Sequence, residues 1–161
     1  MFQSICITCG TRYPAAATHP TGCPICEDDR QYINPNGQQW TTLEALQADH
    51  HNVFSPVELG VTAISSEPKF AIGQRAHLIE TPAGNVLWDC ISLLDDATVA
   101  EITARGGLAG IAISHPHFYT TMSAWAQAFD VPVWLHRSNE PWVFEPSPSV
   151  HYWDGDTLEL L

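Results

Sequence analysis

Six side chains in this sequence have the type and spacing to hold metal ions. Four of the five cysteines fall as Cys6-x2-Cys9 and Cys23-x2-Cys26, with thirteen residues between the pairs. Each pair sets two thiolates on one tight turn, with Gly10 after the first and Pro24 inside the second. Two such turns supply four sulfurs tetrahedrally, the closed geometry of structural zinc. Iron in a rubredoxin-like site and a redox or disulfide pairing are the alternatives. The other two side chains are His115 and His117, which flank Pro116 in "ISHPHFYT" at the end of an apolar run. Side chains two apart on an extended chain point the same way, so both imidazoles can face one ion.

The elements that must position these groups are legible in outline. Residues 1–32 form the zinc ribbon; with little apolar material of its own, its metal binding is folding energy. Residues 33–59 read as a connector, turn-rich at "NPNGQQ", with a short helix from about Thr42 to His50 capped by a Thr41/Glu44 box and ending at His50 and His51. Residues 60–161 form the main domain. A strand spans 61–68, and two more lie in 73–90 around a Pro-Ala-Gly-Asn turn. A helix follows, with Asp96 as its cap and Gly106-Gly107 as its stop. The apolar "LAGIAIS" is a buried strand. Met122, Trp125, Ala126 and Phe129 share one helix face, and "VPVWLH" is the next strand. Strand, helix, strand defines a βαβ unit, which sets His115 and His117 beyond the carboxyl end of a strand, where ligands gather in open α/β sheets. Residues 139–149 read as an irregular loop and 151–160 as a hairpin turning at Asp154-Gly155.

Bulk properties narrow the function. The chain has 161 residues and 45% hydrophobic content, enough for a packed core. Six Lys and Arg against 18 Asp and Glu give a net charge of −12, which disfavours nucleic acid and anionic membranes. Arg12 and Arg30 in the ribbon face Glu27, Asp28 and Asp29, so a nucleic-acid role for it is disfavoured too. No apolar run approaches a transmembrane length, and "MFQSICITCG" lacks signal-peptide regions, so a cytoplasmic protein is expected.

The order of hairpin, Asp89, helix, Ser-His-x-His, helix and "VPVWLH" resembles the first half of a metallo-β-lactamase-like hydrolase. The resemblance implies an α/β (α+β) fold, in which the ribbon precedes the N-terminal part of an αββα sandwich. It implies a divalent ion, usually zinc, at His115 and His117, a small-molecule substrate, and Asp89 orienting the histidine loop. The family's His-x-His-x-Asp-His motif departs here to Tyr119 and Thr120, which leaves at most a one-metal site; the Tyr119 hydroxyl is a candidate substrate or oxyanion contact. The family's third histidine lies in its second half. His136 is the local candidate for that role, and the domain is expected to be truncated at its C-terminus, inactive alone, and prone to self-association through the uncovered sheet. Cys90 reads as a buried apolar thiol, and His77 and His151 as strand-face residues. A catalytically inactive protein-binding module with a structural zinc ribbon is the alternative to the hydrolase.

Overall fold

The computed structural model describes residues 1–28, 32 and 34–161; Asp29 and Arg30 lie outside them, and with them part of the ribbon charge comparison. Strand β1 (Ile5–Cys6) pairs antiparallel with β2 (Trp40–Thr41), Ile5 opposite Thr41. Thr41 is the last residue of this pairing, and the helix that follows starts one residue too late for it to be the cap. Helix α1 (Leu43–Asp49) is capped instead by Thr42, whose Oγ1 accepts from the Ala45 N–H at 3.3 Å, one residue later than the Thr41/Glu44 box predicts. The helix ends at His50, and His51 opens a strand.

That strand, β3 (His51–Glu58), lies inside the stretch read as a connector. Pro56 obscures it, because proline signals against a strand; here it sits on an edge strand beside a register shift, where the missing N–H is tolerated. Strands β4 (Val61–Glu67), β5 (Ala76–Thr81), β6 (Gly84–Trp88), β7 (Gly110–Ala112), β8 (Val133–His136) and β9 (Val150–Trp153) follow in spatial order as in sequence. The sheet of seven strands is mixed: antiparallel from β3 to β6, parallel from β6 to β9. The molecule is therefore an α+β fold built on one large sheet.

Helix α2 (Asp96–Ala104) is capped by Asp95, whose Oδ1 accepts from Thr98 N–H at 2.7 Å; Asp96 is the first helical residue rather than the cap. Gly106 and Gly107 stop it as read. Helix α3 (Met122–Phe129) buries Met122, Trp125 and Ala126, and the Trp125 indole donates to Ile91 O at 2.9 Å. Register places Leu78, Leu87, Ile111 and Val133 in one row across β5 to β8, all fully buried. Ile102 of α2 and Trp125 of α3 pack into the same core. The opposite row holds His77, Trp88, Ala112, Trp134 and His151, and Trp88 is 42% exposed there.

Two C-terminal readings need correction. Residues 139–142 of the expected irregular loop belong to a 3-10 helix, Arg137–Trp142. The expected hairpin at 151–160 does not form: β9 pairs parallel with β8, and no strand follows it. Asp154, expected in the turn, is engaged by Arg137 Nε at 2.9 Å. Among the described residues no helix is long and apolar enough to cross a membrane.

The N-terminal segment is fastened to the sheet domain rather than hung from it. Ile5 is fully buried with Leu46 and Leu93. Arg12 N–H donates to Thr120 O at 3.0 Å, and its guanidinium pairs with Glu145 at 2.9 Å. Ser92 Oγ donates to Gly10 O at 2.8 Å. Gly10 holds φ +79°, and a Cβ there would fall 2.2 Å from Ser92 Oγ, so only glycine permits this approach.

Candidate metal centres

The four cysteine sulfurs lie within 4.8 Å of one another. Cys9 and Cys23 sulfurs are 3.5 Å apart, Cys6 and Cys26 sulfurs 3.6 Å. A disulfide needs about 2.05 Å. Four sulfurs at about 2.3 Å from a tetrahedral ion lie roughly 3.8 Å apart. The set therefore fits a single metal ion, such as zinc. Cys6, Cys9 and Cys23 are buried, and Cys26 is half-buried. Tyr13 OH donates to Cys23 Sγ at 3.1 Å, and Gln38 Nε2 to Cys6 Sγ at 3.3 Å. Burial above all, then the Cys23 contact, raises the Tyr13 pKa, so its phenol remains a donor. Both donors escape a reading based on ligand spacing, because they are not ligands; they offset thiolate charge that a low-dielectric site would otherwise leave uncompensated.

The histidine pair is assembled differently from the extended geometry its spacing suggests. His115 is extended, but Pro116–Phe118 is a 3-10 turn, so the turn and not strand alternation brings the rings together. The rings stack at 4.6 Å with 11° between their planes. His115 Nδ1 accepts from His117 N–H at 3.2 Å and lies 2.8 Å from His117 Nδ1. With His115 Nδ1 an acceptor, the shared contact assigns the proton to His117 Nδ1. His117 Nε2 is then left with a lone pair, buried and without a hydrogen-bond partner. Burial first, and then His115, holds the His117 pKa below the usual imidazole range, which favours the neutral ring.

Asp89 sits at the end of β6 with φ 65°. Its Oδ1 accepts from both the N–H and the Oγ of Ser114 at 2.8 Å, directly before His115. Burial raises its pKa, and the Ser114 contacts pull the other way. A cavity of 390 Å³ opens beside the pair, lined by His115, His117, Asn139 and Trp142 together with Ile25 and Asp28 of the second cysteine turn. The second cysteine turn thus forms part of its wall, a juxtaposition over some ninety positions that no local pattern encodes.

Two candidates do not reach this cavity. Tyr119 is 2% exposed in the hydrophobic core, because the turn at 116–118 directs it inward, so it is not placed as a substrate contact. Its hydroxyl is buried without a partner. His136 is held by Ser138 Oγ at 2.7 Å and by the edge of Trp153. Among the described residues the four cysteines are the one group of three or more His, Cys, Asp or Glu within ligand distance, so His136 does not join His115 and His117. Cys90 is fully buried, and burial pushes its thiol pKa well up.

No family model matches the chain. It is 46% identical over 158 residues to the uncharacterized protein YmaE of Bacillus subtilis (strain 168), a match covering 97% of this chain and 58% of that protein. The chain thus spans less than two thirds of the length of that relative. Among solved structures it is similar to a B3 metallo-beta-lactamase described as the first with an active site glutamic acid. That likeness has a TM-score of 0.46 and 17% identity, over 74% of this chain and 53% of that one.

Proposed function

We propose that this chain carries the metal-binding loop of a metal-dependent hydrolase of the metallo-β-lactamase type, with a structural zinc at Cys6, Cys9, Cys23 and Cys26. The observation that carries the reading is the buried, partnerless lone pair of His117 Nε2, on a residue that with His115 lines a cavity beyond a parallel strand. A buried imidazole nitrogen with no partner is costly unless a ligand completes it. A divalent ion there would supply Lewis acidity and a bound water of lowered pKa. The chain's own residues do the positioning: Asp89 fixes Ser114, the 116–118 turn sets the ring spacing, and Ile25, Asp28 and Trp142 shape the space for a small-molecule substrate. Catalytic zinc ordinarily takes three protein ligands. Two imidazoles alone hold an ion weakly, so turnover by this chain alone is expected to be negligible.

A binding module without turnover is the second reading. It is favoured by Tyr119 in the core and by Thr120, whose carbonyl is taken by Arg12 rather than turned to the cavity. Zinc titration separates the two. The hydrolase reading expects one tight equivalent at the thiolates and a second, weaker class that His115→Ala or His117→Ala abolishes. A single class, unaltered by either substitution, supports the binding module and removes the hydrolase.

A further inference from the structure

Cations are scarce in this molecule, and their placement is informative. Among the described residues, Arg12, Arg105 and Arg137 each pair with a carboxylate. Lys69 and Arg75 pair with none, and both line one cavity of 700 Å³, together with His51 from the start of β3. Glu67 lines the same cavity, and among the described residues it forms no ion pair with either cation. Phe70 and Ile91 give the cavity an apolar wall.

The segment that carries the two cations is pinned at several points. Gln74 is 8% exposed, and its Nε2 donates to Cys9 O at 2.6 Å and to His117 O at 3.0 Å. Gly73 N–H closes a turn onto Phe70 O at 2.9 Å. The Lys69 stem lies across Gly73, which holds φ +78°: a Cβ there would meet Lys69 Cε at 2.6 Å. The glycine is the seat on which the lysine rests. Two cations on a pinned backbone segment, neither of them ion-paired, are available to an anion, and less backbone freedom is lost when one binds.

We infer that this cavity is a second binding site, distinct from the histidine pair, which takes the anionic end of a small molecule whose apolar body lies against Phe70. A phosphate monoester and a carboxylate share the chemistry that Lys69 and Arg75 recognise. A polyanion is disfavoured by the net charge of −12 on the whole chain. The site stands whether or not a metal binds at His115.

Calorimetric titration of the zinc-loaded chain with phenyl phosphate, and separately with benzoate, tests this. Saturable binding of at least one is expected, weakened by salt, and the stronger of the two identifies the head group. Lys69→Ala with Arg75→Ala should weaken it by about a hundredfold, roughly tenfold for each charge removed. Both side chains are exposed, so the variant should keep the wild-type circular dichroism spectrum. His115→Ala should bind as wild type does. Binding of neither probe, equal binding by the double variant, or equal loss in His115→Ala would each overturn the proposal.

Discussion

At Asp89 the backbone and the carboxylate make separable demands. The left-handed φ of 65° suits Asp or Asn and strains most other residues. The carboxylate satisfies Ser114, yet burial raises its pKa, so its ionised form is the costly one in the fold. A carboxyl with a raised folded pKa contributes its full stability below the ordinary carboxylate range and loses it as pH climbs through the raised value. Asp89→Asn keeps an acceptor and the backbone conformation, so its stability relative to wild type should rise over that window and then level. Asp89→Ala leaves the Ser114 donor without its acceptor and should cost about 1–3 kcal/mol. Urea unfolding across the acid range checks both; an Asn variant with the wild-type pH slope would contradict the assignment. The convergence of the four cysteines was legible in their spacing, and so was the place of the histidine pair just beyond a strand. Tyr13, Gln38, Ile25 and Asp28 were not, because hydrogen bonds to sulfur and distant cavity walls leave no local periodicity.

The elements that announced themselves have strong local chemistry: the Gly106-Gly107 stop of α2 and the apolar face of α3. The concealed ones depend on partners far along the chain. β3 is a strand because β4 pairs with it, despite Pro56, and Thr42 caps α1 while Thr41 pairs with β1. The segment 68–75 gains its role the same way, through Gln74, which joins the first cysteine turn to the histidine loop. Gln74→Ala removes both bonds and leaves two carbonyls unsatisfied, at a cost of about 1–3 kcal/mol. Hydrogen exchange should quicken around Gly10 and across 117–121 in this variant, with one zinc still bound at the thiolates. Unchanged exchange at 117–121 would mean that the two loops are not coupled through Gln74.

For the molecule as a whole, the question is how much of the fold would depend on an ion held by the four thiolates. Apparent zinc-binding energies in small zinc domains run to roughly 10–16 kcal/mol, comparable with the roughly 5–15 kcal/mol of a whole domain. The cluster around the thiolates contains Tyr13, Ile25, Trp40 and Trp142, and beyond it Ile5 is buried with Leu46 of α1 and Leu93. Trp142 also lines the cavity beside His115 and His117, so loosening the cysteine cluster reaches that cavity directly. Chelation should therefore release one zinc, shift tryptophan emission to the red through Trp40 and Trp142, and open Arg12, now 8% exposed and paired with Glu145, to trypsin. Cys6→Ser should reproduce all three effects without chelator, because loss of one ligand opens a closed tetrahedral site. The sheet core, with Leu78, Leu87, Ile111 and Val133 in one row, belongs to a cluster separate from the four cysteines and should keep its protection from exchange. If complete zinc removal leaves cleavage at Arg12 unchanged, packing on Thr120 and Glu145 holds the N-terminal segment by itself, and the ion is not what folds it.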